Sequence, residues 1–123
     1  KPTTEVQDIE VWKAKVLDYI EAKSAYQDSK LTLADVAQAI GTTSKQVSTV
    51  INQGFGMNFN DFVNDFRLRE VKNRFQRGEQ AHFTILAIAL DCGFNSKTTF
   101  NRVFKRATGQ TPLQYLAKIS TES

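Results

Sequence analysis

The chain has 123 residues, 41% of them hydrophobic, and a formal net charge of +3, the balance of an ordinary soluble globular protein large enough for one compact unit or two very small lobes. Its longest apolar run, Ile85 to Leu90, falls far short of the roughly 20 residues of a bilayer-spanning helix. The single cysteine, Cys92, excludes an internal disulfide and a cysteine-based zinc site and suits a reducing compartment.

The elements are legible in order. Lys1-Pro2-Thr3-Thr4 carries neither an initiator Met nor a charged-then-apolar leader, so the chain is expected to be a piece of a longer protein. From Asp8 to about Ala25, the apolar residues Ile9, Trp12, Val16, Leu17 and Ile20 recur at helical spacing and predict an amphipathic helix. Thr32 followed by Asp35 resembles a capping box opening a second helix, and Gly41 closes it by supplying a left-handed residue. Thr43 with Gln46 suggests another box, starting a helix that ends near Gly54 and Gly56. A long helix follows from about Asn60 to Arg77, burying Phe62, Val63, Phe66, Val71 and Phe75, with Gly78 beyond its end. Periodicity alone leaves Ile85 to Leu90 open between strand and helix. Asn95 or Ser96 can cap a helix to about Ala107, and Thr111-Pro112 with Gln114 places a cap, a first-turn proline and a box partner before the last helix.

An internal repeat decides the open element. Thr32-Leu33-Ala34-Asp35-Val36-Ala37 through Gly41 to Val47-Ser48-Thr49-Val50-Ile51 is echoed by Thr84-Ile85-Leu86-Ala87-Ile88-Ala89 through Gly93 to Phe100-Asn101-Arg102-Val103-Phe104. The second copy carries one extra residue in its turn. Each copy reads as a helix, a Gly-containing turn and a second helix, which makes Ile85 to Leu90 helical and predicts a tandem helix-turn-helix. The fold expected is all-α: two helix-turn-helix subdomains joined by a long linker helix, about seven helices. Residues 1–10 read as a tail from a preceding region, 11–59 as the first subdomain, 60–78 as the linker helix, 79–119 as the second subdomain and 120–123 as a tail.

Residue types within the repeat divide by face. Ala37 and Ala89 are small where two helices cross, and Val47, Val50 and Ile51, like Phe100, Val103 and Phe104, hold the second helix on the core. The opposite face presents Lys45, Gln46, Ser48 and Thr49 in the first copy and Lys97, Thr98, Asn101, Arg102 and Lys105 in the second. Such groups reach base edges and phosphates, although a solvated surface helix carries them too; two matched helices favour reading. Residues 1–66 hold six Lys or Arg against nine Asp or Glu, and residues 67–123 hold ten against four. The positive field therefore belongs to the second half, as a polyanion partner or a solvated charged face would require.

The run Ala89-x3-Gly93-Phe94-x-Ser96-x3-Phe100-x2-Val103-Phe104-Lys105-x3-Gly109-x-Thr111-Pro112-x2-Tyr115 resembles the signature of the AraC/XylS family of bacterial transcription regulators, C-terminal DNA-binding domain. Gly56-x2-Phe59-x2-Phe62 and Arg67-Leu68-x2-Val71 match its earlier part. The resemblance covers about Val11 to Leu116 and implies two recognition helices entering successive major grooves on one DNA face. It implies base reading by Lys45, Ser48 and Thr49 in the first helix and by Lys97, Thr98, Asn101 and Arg102 in the second. Gln46, Ser96, Lys105 and Arg106 are the expected backbone contacts. The chain departs from many relatives in carrying Thr49 where they have Arg, and Ile51, Asn52 and Gln53 where they have aromatic and basic residues, so its first reading helix is nearly uncharged. Phe94 to Lys105 is most similar to members whose N-terminal half is a membrane-embedded sensor.

The remaining conspicuous residues take plainer roles. His82 stands alone, with no partners at metal spacing. Cys92 reads as a small buried thiol, and Trp12, Tyr19 and Tyr26 as core and edge packing. No paired carboxylates, phosphate loop or nucleophile motif marks an enzyme. The expected protein is a cytoplasmic, sequence-specific binder of double-stranded DNA that uses no cofactor or metal and is monomeric as an isolated domain. RNA polymerase is a second expected partner, and a preceding region would sense an effector or signal. The alternative is a protein-interaction module in which only the second helix-turn-helix reads DNA.

Overall fold

A computed structural model describes residues 6–122, the side chains of residues 6–8 and 122 excepted; Lys1-Pro2-Thr3-Thr4 lies outside the described residues. The elements are helical, without a strand among the described residues: α1 (Val6–Leu17), α2 (Leu33–Ile40), α3 (Ser44–Phe55), α4 (Phe59–Gln76), α5 (Ile85–Asp91), α6 (Lys97–Thr108) and α7 (Pro112–Glu122), with short π and 3-10 turns between them. The chain divides after Phe66 into two compact units.

Local chemistry explains most boundaries. Thr32 Oγ1 accepts the Asp35 N–H at 3.1 Å, and Asp35 Oδ2 accepts the Thr32 N–H at 3.0 Å, so two otherwise orphaned donors are satisfied before α2. Gly41 ends α2 at φ 83°, a left-handed conformation that a Cβ disfavours. Thr43 caps α3 by accepting the Gln46 N–H, but the Gln46 side chain makes no return bond. In the second copy Thr84 and Ser96 cap α5 and α6 through the N–H groups of Ala87 and Thr99. Thr111 and Gln114 form a reciprocal pair at α7, and Pro112 sits at the first helical position, where its missing N–H is harmless.

The first helix differs from the continuous one its periodicity predicts. After Leu17 the backbone widens into a π turn over Asp18–Ala22, with the Lys23 N–H bonded to the Asp18 carbonyl. A 3-10 turn then carries Tyr26 into the core.

In the first unit Val16 and Ile20 pack with Val36, Ala37, Val47, Val50 and Ile51, and Phe62, Val63 and Phe66 of α4 complete the cluster. Trp12 and Tyr19 lie partly buried against it, the packing role expected of them. In the second unit Leu68, Val71 and Phe75 of α4 pack with Ile88, Ala89, Phe94, Phe100, Val103 and Phe104. Its aromatic rings meet at offset and edge-on angles; Phe104 lies 5.6 Å from Phe100 and 5.2 Å from Tyr115 between centroids. Such contacts add about 0.5–1.5 kcal/mol each beyond burial. Ala37 and Ala89 are 4% and 0% exposed, so a larger side chain at either would force its helix crossing apart.

Candidate nucleic-acid interface

Each unit anchors its second helix by one side and leaves the other in solvent. Val47, Val50 and Ile51 of α3, and Phe100 and Phe104 of α6, are at most 1% exposed. On the far side of α6, Lys97, Thr98, Asn101, Arg102, Lys105 and Arg106 are all exposed. Lys97, Arg102 and Lys105 make no ion pair among the described residues. Their heads are thus available to an external acceptor without breaking an internal contact. Lys105 and Arg106 occupy the last turn, where a cation also offsets the negative end of the helix dipole.

The corresponding face of α3 is less open. Lys45 is exposed, but Gln46, Ser48 and Thr49 are half-buried. The Asn52 side-chain amide donates to the Ser48 hydroxyl at 3.4 Å. Asn52 is exposed on this same face and adds to the residues that the sequence points to. Its signal was its place four residues after Ser48 and opposite Lys105 in the repeat. Ser96 is occupied locally: its hydroxyl accepts the Thr99 N–H and bonds the Thr99 hydroxyl, both at 3.1 Å. Any outside contact by Ser96 therefore competes with its capping role.

A second cluster of charge is internal to the second unit. Arg74 bridges Glu79 and, at 3.2 Å, Asp91, and its guanidinium lies 5.7 Å from the Phe83 ring centroid. Arg77 pairs with Glu79 at 3.0 Å and Glu70 at 3.4 Å. Burial opposes the charge on Arg74, but its bonds to Glu79 and Asp91 outweigh this and raise its pKa. The same bonds from Arg74 and then Arg77 lower that of Glu79. These cations are committed to tying α4 to the segment before α5 and to the end of α5, unlike Lys97, Arg102 and Lys105 of α6. Burial pushes the Cys92 thiol up to about 11, as suits a packing residue rather than a reactive one. His82 is exposed. Among the described residues no group of three or more His, Cys, Asp or Glu could hold a metal ion, and no helix is long and apolar enough to cross a membrane.

Comparison with known proteins places this geometry. A family model described as a helix-turn-helix domain matches residues 36–118. An uncharacterized HTH-type transcriptional regulator of Staphylococcus aureus (strain COL) is 33% identical over 101 residues, 82% of this chain and 13% of that protein. Another from Escherichia coli (strain K12), YpdC, is 33% identical over 88 residues, 72% of this chain and 30% of the relative. The chain thus spans only a small part of these relatives. Among solved structures, the C-terminal domain of AraT, a response regulator from Geobacillus stearothermophilus, superposes with a TM-score of 0.74 at 25% identity, covering 85% of this chain and 83% of that one. A Chromobacterium violaceum transcriptional regulator described as containing an AraC-type DNA-binding domain shares the fold, with a TM-score of 0.73 at 21% identity over 93% of this chain and 99% of that one.

Proposed function

The chain belongs to the AraC-type helix-turn-helix family of transcription regulators, and from that premise we propose that it binds double-stranded DNA sequence-specifically, with α3 and α6 each entering a major groove. Residues 11–59 and 79–119 are the two reading subdomains in this proposal, and 60–78 the helix that joins them. The observation that supports it most is the repeated division of faces. Twice in one chain, a capped helix commits its apolar side to a core and turns hydrogen-bonding side chains outward.

Roles follow from chemistry. Arg102 and Lys97 suit guanine O6 and N7, Asn101 suits adenine, and Thr98, Ser48 and Thr49 suit either base edges or thymine methyls. Lys45 is the cationic reader of the first helix. Lys105, Arg106, Gln46 and Ser96 are assigned to the phosphate backbone, which fixes register without carrying sequence information. The reading implies a non-enzymatic protein acting on cytoplasmic DNA, with its signal sensed by a region outside this chain.

A second reading is favoured by one observation: α3 carries a single cation, and residues 1–66 carry more acid than base. On that reading the first unit contacts polymerase or a partner subunit, and only α6 reads DNA. Titration of the protein against duplex DNA from its own upstream region at two salt concentrations tests the main proposal. Binding should weaken steeply with salt, by a slope of about 0.9 per phosphate contacted. Salt-independent binding, or none, would refute it.

A further inference from the structure

Beside the outward face of α6 lies a cleft of about 570 Å³ formed wholly within the second unit. Ile85 and Leu86 at the start of α5 and Pro112 and Leu113 at the start of α7 supply apolar walls, with Asn101 and Arg102 at its rim. Leu113 is 71% exposed and Leu86 36%. A single exposed leucine is ordinary, but apolar side chains grouped in one cleft and rimmed by Lys97, Arg102 and Lys105 have the arrangement that marks an interaction surface. No Asp or Glu lines the cleft, so its rim favours an anionic occupant.

The first unit has a matching cleft of about 520 Å³, lined by Leu33 at the start of α2, Ser48 of α3, and Phe59 and Asn60 at the start of α4. The repeat carries Leu33 onto Ile85, Ser48 onto Asn101, Phe59 onto Pro112 and Asn60 onto Leu113. A cleft that recurs at equivalent positions belongs to the repeated unit itself. What differs is the residue at its mouth, an amide in one copy and an isobutyl group in the other.

Asn101 and Arg102 line the cleft and also stand on the face assigned to DNA, so a duplex seated on α6 must close over it. We infer that DNA fills this cleft, with Leu113 against the C5-methyl of a thymine and Asn60 making a polar contact at the equivalent place in the first unit. This rests on the DNA reading proposed above. The thymine methyl is the apolar group that the major groove offers, and Leu113 is the most exposed apolar side chain beside the α6 readers. The first turn of the helix that follows, α7 in the second unit and α4 in the first, thus joins the recognition helix as a determinant of sequence preference.

The test uses duplexes selected from a random-sequence library by wild type, Leu113→Asn and Arg102→Ala. Wild type should select a thymine next to the base whose preference Arg102→Ala abolishes, and Leu113→Asn should lose that thymine while keeping the salt dependence of binding. Replacing the thymine by uracil removes only the methyl. It should weaken wild type about fourfold, the order expected for one buried methyl group, and leave Leu113→Asn unaffected. If Arg102→Ala changes the selection but wild type binds thymine and uracil duplexes equally, the role of Leu113 is overturned and the DNA reading stands. If wild type itself enriches no sequence, the DNA reading has failed as well; if it enriches one that neither substitution changes, the roles of Arg102 and Leu113 are both overturned while the DNA reading stands. Equal melting temperatures for wild type and Leu113→Asn, expected from the exposure of the side chain, separate these results from misfolding.

Discussion

Arg102 and Phe104 lie two residues apart on α6 and face opposite ways, so their replacement by alanine should separate binding from folding. Arg102 is exposed and makes no ion pair among the described residues. Arg102→Ala should therefore change folding stability by no more than about 0.5 kcal/mol. If the guanidinium is bidentate to a guanine, the same substitution removes about 1–3 kcal/mol of binding, roughly a 5- to 150-fold rise in Kd. Phe104 is 0% exposed and packs among Phe75, Phe100 and Tyr115. Phe104→Ala should cost about 3–5 kcal/mol of stability, a transfer loss plus an unfilled cavity. Set against the roughly 5–15 kcal/mol of a typical domain, that is enough to lower the melting temperature sharply. The assay pairs thermal unfolding followed by circular dichroism with fluorescence-anisotropy titration of a selected duplex and a scrambled one. Arg102→Ala should bring the two Kd values together at unchanged melting temperature. A lowered melting temperature in that variant, or an unchanged ratio of the two Kd values, would refute the assignment of faces on α6.

Four further outcomes are expected. A Ser48→Ala, Thr49→Ala double variant should lose preference at the first half-site while keeping its salt dependence, because neither side chain carries charge; randomising that half-site alone, in both proteins, measures the difference. Inserting about 5 bp between half-sites, half a helical turn, should abolish the joint footprint if both units read one face, and a footprint that survives would mean that one unit reads alone. Ala89→Leu should lose about 1–3 kcal/mol by overpacking the α5–α6 crossing, read as a lower denaturation midpoint. Cys92 should resist thiol reagents at pH 8 in the folded protein and react once unfolded. Its raised pKa adds stability that is present below the unfolded value of about 8.5 and is lost as pH rises toward the folded value, so urea midpoints should fall across that alkaline window.

The sequence by itself determined what depends on near neighbours. Thr32 with Asp35, and Thr111 with Gln114, announce helix starts because both partners of each bond lie within one turn. Gly41 announces an end because the left-handed backbone there disfavours other residues. The spacing of Val47, Val50 and Ile51, repeated in Phe100, Val103 and Phe104, told which side of each recognition helix faces the core, since 3.6-residue periodicity maps directly onto a helix surface. Even the ambiguous Ile85 to Leu90 was resolved, because a repeat transfers the assignment of one copy to the other.

Tertiary structure decided what depends on distant partners or on competing uses of one side chain. The π turn at Asp18–Ala22 leaves no local signal; it goes with the return of Tyr26 to the first core. Arg74 and Asp91 are 17 residues apart, so no spacing rule could tell that Arg74 is committed internally while Arg102, of the same charge, is not. Asn95 and Ser96 are both cap candidates in the sequence and the structure selects Ser96, whereas nothing in the sequence tells that the Ser48 hydroxyl accepts from Asn52. The paired clefts are the clearest case. Leu33, Ser48 and Asn60, like Ile85, Asn101 and Leu113, come from three separate helices, and only the packing of those helices around a shared core brings their side chains to one edge of the recognition helix.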